Sequence, residues 1–364
     1  MDASELEELG VYDPSAPDAA DRLSLLRYLS GLGATREQML AAAEQDTMWS
    51  LAADLLLSQG TLTLAEVIYR VGAPEVIVRE LIRSLGLPEP APDERVFSER
   101  DVEMMSFLLA GGGAQMFGRE DARQFVRVTG SALARIADAG IAMYLRGVEA
   151  TLVREGATEL DHAQANVEGL VLFDQFAAQM PAMLAHHVRL AMERSRQSRV
   201  EVGDFESARV AVGFVDLVGF TPLSQQMEPG ELADLIGRFE AVAMDTATSH
   251  GGRVVKLIGD EVMFVAVEVT QACEIATTLL GAFPGVGVTP RGGMAYGEVL
   301  SRDGDYYGPL VNLASRIADL AVPNEILVTA ELRDAVGGDR FSAAGRRMLK
   351  GFDEPVELYA LSAV

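Results

Sequence analysis

The sequence predicts two domains, an all-helical one followed by an α+β one. Its 364 residues are a length typical of two domains. Up to residue 197, apolar residues recur at spacings of three and four, which is the period of an α-helix. Beyond residue 206, apolar runs typical of strands alternate with helical stretches. We therefore predict a helical domain at 1–192, a linker at 193–205 and an α+β domain at 206–364.

The helical half divides into short helices. Thr63 with Glu66 is a pair typical of a helix start, because the hydroxyl and the carboxylate each accept a free main-chain amide. A longer helical pattern covers 158–197, where Pro181 predicts a kink or a division into two helices. The short helices are expected at 21–31, 35–44, 47–58, 63–71, 75–85, 99–110 and 119–146.

The second half has the order strand, helix, hairpin, helix, strand, which is typical of a ferredoxin-like α+β core. A two-residue loop at Gly259-Asp260 predicts the hairpin. These core elements are expected at 209–216, 229–249, 253–258, 261–267, 270–283 and near 286–297. An arm at 301–308, a helix at 309–321 and short strands near 325–329, 341–348 and 355–361 follow.

The composition limits the partners. The net charge is −24 and both halves are acidic, so the surface repels the phosphates of nucleic acids and of anionic lipids. No stretch of 18 residues is free of charge, and the acidic N-terminus lacks a signal pattern. The single cysteine, Cys273, suits a reducing compartment. We expect a cytoplasmic protein that binds neither nucleic acid nor membrane.

Two aspartates have the setting of metal ligands. Asp216 ends an apolar strand, and Asp260 lies at the tip of the predicted hairpin. If the hairpin lies beside the first strand, the two carboxylates converge and can hold two cations for displacement at phosphorus. Either aspartate alone is more typical of a turn. The glycine turn after Asp216, at Gly219, Phe220 and Thr221, offers amides to phosphate oxygens.

Further polar residues have chemistry suited to a nucleotide. Asn312 and Arg316 are four residues apart on a predicted helix and therefore share a face. An arginine there can neutralise charge on a phosphoryl group, although such pairs are usually solvated. Lys256 and Lys350 are the only lysines among thirty basic residues. Because almost all basic residues are arginine, a lysine that remains indicates a position where a compact point charge is needed. The alternative is that the two lysines remain by chance.

Four motifs in order resemble the catalytic domain of class III adenylyl cyclases, over about 206–364. They are Phe214-Val-Asp-Leu-Val-Gly-Phe-Thr, Val255-Lys-Leu-Ile-Gly-Asp-Glu, Asp303-Gly-Asp-Tyr-Tyr-Gly-Pro-Leu-Val-Asn-Leu-Ala-Ser-Arg and Leu349-Lys-Gly-Phe. The resemblance implies an adenylate cyclase that converts ATP to 3′,5′-cyclic AMP and pyrophosphate. It also implies two divalent cations, Mg²⁺ or Mn²⁺, at Asp216 and Asp260, with Leu217 among the metal-binding positions.

The same resemblance assigns the substrate contacts. Lys256 and Asp305 are implied to read adenine, since guanylyl cyclases carry Glu and a small residue at these two places. Lys350 is implied to bind the terminal phosphates. Asn312 would orient the ribose and Arg316 would stabilise the transition state, both donated by a second chain. A head-to-tail homodimer with two shared sites is therefore implied.

The helical half permits two interpretations. Residues 61–87 and the segment after Arg95 are similar to a helix-turn-helix, so a nucleotide-sensing transcription regulator is the alternative function. The acidic charge disfavours DNA binding. The arrangement also resembles mycobacterial cyclases with an autoinhibitory helical domain, some of them responsive to pH. Because histidine titrates near neutrality, we predict a regulatory role for His186 and His187, although solvated histidines are the more ordinary interpretation.

Overall fold

A computed structural model describes residues 1–57, 60–109, 116–200, 206–283 and 287–362. The chain forms two compact units, Met1–Leu184 and Ala185–Val364. Residues 201–205 of the predicted linker lie outside the described residues, and the domain boundaries at 192 and 205 stay a prediction.

The described part of the first unit is helical, as the sequence predicts. Thr63 and Glu66 form the expected capping box. The main-chain amide of Glu66 donates to Oγ1 of Thr63 at 3.3 Å, and the main-chain amide of Thr63 donates to Oε2 of Glu66 at 2.8 Å. The helices are α1 (Ala3–Glu8), α2 (Ala19–Gly31), α3 (Arg36–Glu44), α4 (Leu51–Leu57), α5 (Leu64–Val71), α6 (Glu75–Ser84), α7 (Glu99–Leu109), α8 (Arg119–Tyr144), α9 (Ala150–Glu155), α10 (Glu159–Ala177) and α11 (Met180–Gln197).

Two features interrupt the long helices. A π-helical turn, Leu145–Glu149, joins α8 to α9. The predicted break at Pro181 is confirmed, because α10 ends at Ala177 and α11 begins at Met180, which places the proline in the first turn. The helix α11 carries the chain from the first unit into the second.

The second unit has the predicted ferredoxin-like order of elements. Its eight described strands form one sheet in the order β2-β3-β1-β4-β6-β8-β7, with β5 beside β4, and only β4 and β6 are parallel. The elements are β1 (Ser207–Val218), α12 (Phe220–Ser224), α13 (Pro229–Ser249), β2 (Arg253–Ile258), β3 (Glu261–Ala266), α14 (Val269–Leu280), β4 (Thr289–Arg302), β5 (Asp305–Tyr307), α15 (Pro309–Leu320), β6 (Ile326–Thr329), α16 (Ala330–Val336), β7 (Phe341–Arg347) and β8 (Val356–Leu361).

Both faces of β1 are covered. Ala211 and Val215 belong to the buried cluster that includes residues of α13 and α14, whereas Val212 and Phe214 belong to the cluster with α15. This alternation follows the period of two in a strand. Because both faces are covered, the strand that ends near Asp216 is apolar along most of its length.

Among the described helices, none has the length and apolarity that a membrane crossing requires.

Candidate active site

The aspartates predicted to bind metal lie at one end of the sheet. The register of β1 and β3 places Asp216 opposite Glu261, and Asp260 occupies the turn just before Glu261. Gly259 precedes it with a left-handed φ of 65°, a conformation that favours glycine. Burial raises the pKa of Asp260, and the negative charge of Asp216 raises it further. The strand register thus brings the two carboxylates into one electrostatic environment.

Arg291 on β4 binds Asp216, although no motif in the sequence pointed to this arginine. Its Nε and Nη2 donate to the two carboxylate oxygens at 2.9 and 3.0 Å, as a fork. Its Nη1 donates to the carbonyls of Asp319 and Ala321 at 2.9 and 3.1 Å. The hydrogen bond to Asp216 is the main cause of the raised pKa of Arg291. The arginine therefore fixes the orientation of the Asp216 carboxylate.

Negative charge is in excess around this arginine. Burial, followed by the charges of Asp216, Asp319 and Asp260, raises the pKa of Glu261 to about 7. Within the described ranges, no group of three or more His, Cys, Asp or Glu side chains is arranged to hold an ion. The predicted donor set is the pair Asp216 and Asp260. Burial and the negative charge of Asp216 both raise the pKa of Asp260, so a divalent cation bound by the two carboxylates would lower the electrostatic energy, and these residues fit a metal site.

The glycine turn after β1 leaves little room at Gly219. Gly219 has a φ of 91°, and a Cβ there would lie 3.3 Å from the carbonyl oxygen of Gly287. Phe220 packs partly against the core, and Thr221 is exposed. The side chain of Leu217 is 2% exposed and lies in the core, so a metal could meet this residue only through its main-chain carbonyl. The roles of these four residues stay predictions.

The residues predicted to read the base are in contact. The Nζ of Lys256 on β2 donates to Oδ2 of Asp305 on β5 at 2.7 Å. The main-chain amide of Tyr306 donates to Oδ1 of Asp305 at 2.7 Å, and the Lys256 ammonium lies 5.9 Å from the centre of the Tyr307 ring. Both side chains stay accessible, at 38% and 25% exposure. One donor and one acceptor are thus held side by side at the surface.

Three predicted residues lie apart from these contacts. Asn312 and Arg316 are exposed on α15, and Arg316 forms an ion pair with Asp319 at 3.0 Å. Lys350 is exposed in the loop after β7, next to the buried Leu349. Among the described residues, no hydrogen bond or ion pair joins Asn312, Arg316 or Lys350 to Asp216, Asp260, Lys256 or Asp305.

The histidines predicted to regulate are exposed. His186 and His187 both lie on the exposed surface of α11. A third histidine has a different environment. Nδ1 of His162 lies 2.9 Å from a carboxylate oxygen of Glu149, and these side chains are only 14% and 17% exposed. The other carboxylate oxygen of Glu149 and the Tyr144 hydroxyl are buried without a partner in the described part of the chain. The helical unit therefore contains a polar cluster at its π-helical turn.

Comparisons with known proteins identify the family of the chain. Residues 4–195 match the family model of the adenylate cyclase regulatory domain, and residues 204–363 match that of the adenylate and guanylate cyclase catalytic domain. Among solved structures, the adenylyl cyclase CyaB from Pseudomonas aeruginosa is 26% identical, with a TM-score of 0.38 over 44% of this chain and 97% of that chain.

Relatives of similar length extend the match over nearly the whole chain. An uncharacterised protein of Mycobacterium tuberculosis is 34% identical over 99% of this chain and 94% of its own. An adenylate cyclase of Glutamicibacter nicotianae is 31% identical over 88% and 83%, respectively. A pH-sensitive adenylate cyclase of M. tuberculosis is 31% identical over 93% and 87%. The chain therefore belongs to the adenylate cyclases in which a regulatory domain precedes an adenylate and guanylate cyclase catalytic domain.

Proposed function

We propose that the protein converts ATP to 3′,5′-cyclic AMP and pyrophosphate. The contact between Lys256 and Asp305 at 2.7 Å supports this substrate most directly. Adenine presents a ring nitrogen that accepts a hydrogen bond next to an amino group that donates one. An ammonium donor beside a carboxylate acceptor has the complementary pattern. Before the base binds, each side chain satisfies the other, so neither charge is left without a partner.

The test of base preference replaces both of these residues. The variant Lys256→Glu with Asp305→Ser has an acceptor in place of the donor, and we expect its kcat/KM for ATP to fall by about 10²-fold or more. Its kcat/KM for GTP is expected to rise relative to that for ATP. Arg302→Gln, at an exposed position of the same arm, is the control. Unchanged preference for ATP in the double variant would contradict the assignment.

We propose that Asp216 and Asp260 hold two divalent cations. When bound, these ions would supply Lewis acidity that favours deprotonation of the ribose 3′-hydroxyl and positive charge that favours departure of pyrophosphate. Arg291 holds the Asp216 carboxylate in a fixed orientation through its fork of hydrogen bonds. Because Lys350 is exposed on its loop, its ammonium is available to the terminal phosphates.

We propose that each site is completed by a second copy of the chain. Asn312 and Arg316 support this, since both are exposed on α15 without a described contact to the base-reading pair. The test mixes the inactive variants Asp216→Ala and Asn312→Ala. Their heterodimer has one site without either substitution, so activity is expected to return to about a quarter of the wild-type level after random pairing. Mixtures that stay as inactive as each variant alone would refute the shared site.

The alternative function, a nucleotide-sensing transcription regulator, is disfavoured by the arginines of α6. Arg79 contacts Glu75 and Glu89 at 2.8 and 2.7 Å, and Arg83 contacts Glu89 at 2.6 Å. A helix that reads DNA presents such cations to phosphates and bases, whereas these are already paired with carboxylates. Genomic DNA retained by the protein at physiological salt in a filter-binding assay would revive this alternative.

We propose that the helical domain regulates the enzyme and that pH acts through His162. The imidazole is next to the Glu149 carboxylate and the neighbouring Asp161, and the centre of the Trp49 ring lies 6.0 Å from its own centre. The Tyr144 hydroxyl lies near the carboxylate of Glu149. Protonation of the imidazole would convert the contact with Glu149 into an ion pair that is largely shielded from water. Such a change would alter the packing at the π-helical turn.

The regulatory test compares two positions. We expect His162→Gln to flatten the dependence of kcat on pH, because glutamine cannot take up the proton that histidine can. The variant with His186→Gln and His187→Gln changes exposed histidines and is expected to keep the wild-type profile. The opposite pattern would return the regulatory role to His186 and His187, and a wild-type profile in both would remove histidine from the regulation.

A further inference from the structure

Strand β2 contains a bulge that changes which way its side chains face. Its register with β3 shifts between Val254 and Lys256, so β2 has one extra residue there. Val254 and Leu257 pack against the same buried cluster although they are three residues apart, which regular alternation along a strand would prevent. Across the same bulge, Arg253 and Lys256 are also three apart, and both contact the segment 304–307. The bulge thus directs two cationic side chains to one side of the sheet.

The two-residue turn between β4 and β5 determines where Asp305 lies. Asp303 and Gly304 both have left-handed φ values, of 56° and 80°, as a type I′ turn requires. Arg302 pairs with Asp305 across this turn, so the carboxylate that is proposed to read the base directly follows the glycine. A shift of the turn would therefore displace the Asp305 carboxylate relative to Lys256.

Arg253 contacts both chain neighbours of Asp305. Its Nη2 donates to the carbonyl oxygen of Gly304 at 2.7 Å. Its guanidinium carbon lies 5.6 Å from the centre of the ring of Tyr306, a residue that is 8% exposed, and this distance is within the range of a cation–π contact. In the ranges that the structure describes, no carboxylate forms an ion pair with Arg253. The contacts described for its guanidinium are thus with the residues on either side of Asp305.

We propose that Arg253 is a positioning residue for base selection, which holds the turn so that the Asp305 carboxylate stays beside the Lys256 ammonium. This inference rests on the proposed recognition of adenine by that pair. Because Lys256 and Asp305 are 38% and 25% exposed, packing alone does not fix them, and a fixed main chain beside the carboxylate narrows its range. An arginine suits this task, since its planar guanidinium donates in fixed directions and stacks on a ring.

The test measures kcat and KM for ATP and for GTP. For Arg253→Gln, we expect the KM for ATP to rise about tenfold while kcat stays within about twofold of the wild type. The preference for ATP over GTP, as the ratio of the two kcat/KM values, is expected to fall about tenfold. General damage to the fold would instead lower kcat and leave this ratio unchanged. The control is Arg302→Gln, which removes an exposed arginine paired with Asp303 at 3.5 Å and is expected to keep the wild-type values.

Two further variants show whether Arg253 acts through Asp305. Arg253→Lys keeps a cationic donor for the Gly304 carbonyl but loses the planar group, so a loss of preference of only about threefold is expected. In an Asp305→Ser background, Arg253→Gln is expected to cause no further loss of preference, because the carboxylate that Arg253 positions is absent.

The outcomes distinguish the positioning role from the proposed function. If Asp305→Ser alone keeps the wild-type preference, the proposed recognition of the base is wrong and the positioning role is refuted with it. If Asp305→Ser loses the preference but Arg253→Gln keeps it, only the positioning role is overturned. Losses that add independently in the double variant would also overturn it. Should Arg253→Gln unfold, Arg253→Lys takes its place, and its smaller loss must disappear in the Asp305→Ser background.

Discussion

Gly293 on β4 lies directly under helix α15. A Cβ at this position would lie 2.2 Å from the main-chain nitrogen of Ala318 and 2.6 Å from the carbonyl oxygen of Ala314. Carbon atoms pack without repulsion at about 3.5–4.0 Å, so Gly293→Ala requires the helix to move by about 1 Å or more. The obstructing atoms are main chain, and no side-chain rotation can relieve the contact.

The expected loss of stability follows from this overlap. Overpacking of a dense core costs up to about 3 kcal/mol, and a rigid helix places Gly293→Ala at that upper end. For a unit of this size, about 3 kcal/mol lowers Tm by about 6–12 °C. Because α15 also carries Asn312 and Arg316, a shift of about 1 Å is expected to lower kcat/KM by about 10²-fold below the melting temperature.

The control is Gly297→Ala on the same strand. Its Cβ would lie 3.2 Å from a methyl group of Leu310, which can rotate away, so the cost is expected to stay below about 1 kcal/mol. Calorimetry and initial rates of cyclic AMP formation compare the two variants. If Gly293→Ala melts and turns over like Gly297→Ala, then the helix does not lie as close to β4 as described.

Two other predictions concern a helix cap and a buried thiol. Thr63→Ala removes the capping box of α5 and is expected to lower the free energy of unfolding by about 1 kcal/mol. The loss should be seen as faster amide exchange in the first turn of α5. Thr61→Ala, at an exposed position, is the neutral control. Burial raises the pKa of Cys273 to about 11, so a thiol reagent at neutral pH is expected to modify it only at the rate of unfolding. Because the pKa of this thiol in the folded protein exceeds the ordinary value of 9.0, the unfolded chain loses the proton first, and the free energy of unfolding falls as the pH rises from about 9 toward 11. Cys273→Ala is expected to make this decline less steep when Tm is measured over a series of pH values.

The elements were predictable where local chemistry determines them. A run of apolar residues located β1, and the glycine turn located the hairpin of β2 and β3, because both signals depend on near neighbours in the chain. The contact between Lys256 and Asp305 confirms that they lie together, although they are distant in sequence. It was the family resemblance, and not spacing, that selected this pair.

What the sequence did not reveal depends on the register of the sheet. Arg291 has no periodic signal, since its partner Asp216 is defined only when β1 and β4 pair. Its position in the apolar, glycine-rich first part of that strand, residues 290–297, was the one available sign. The cluster of His162 and Glu149 was hidden for a similar reason, because a π-helical turn changes which side chains face α10. Helical spacing alone cannot indicate that change.

The scarcity of lysine gives the contact between Lys256 and Asp305 an experimental use. An amine-directed reagent has three targets in this chain, namely Lys256, Lys350 and the N-terminal amine. Lys350 is exposed, whereas the Lys256 ammonium is engaged by a carboxylate and is 38% exposed, so the two lysines should be modified at different rates. Mass spectrometry of two lysine-containing peptides would then report separately on the contact between Lys256 and Asp305 and on the loop that carries Lys350, without an engineered label.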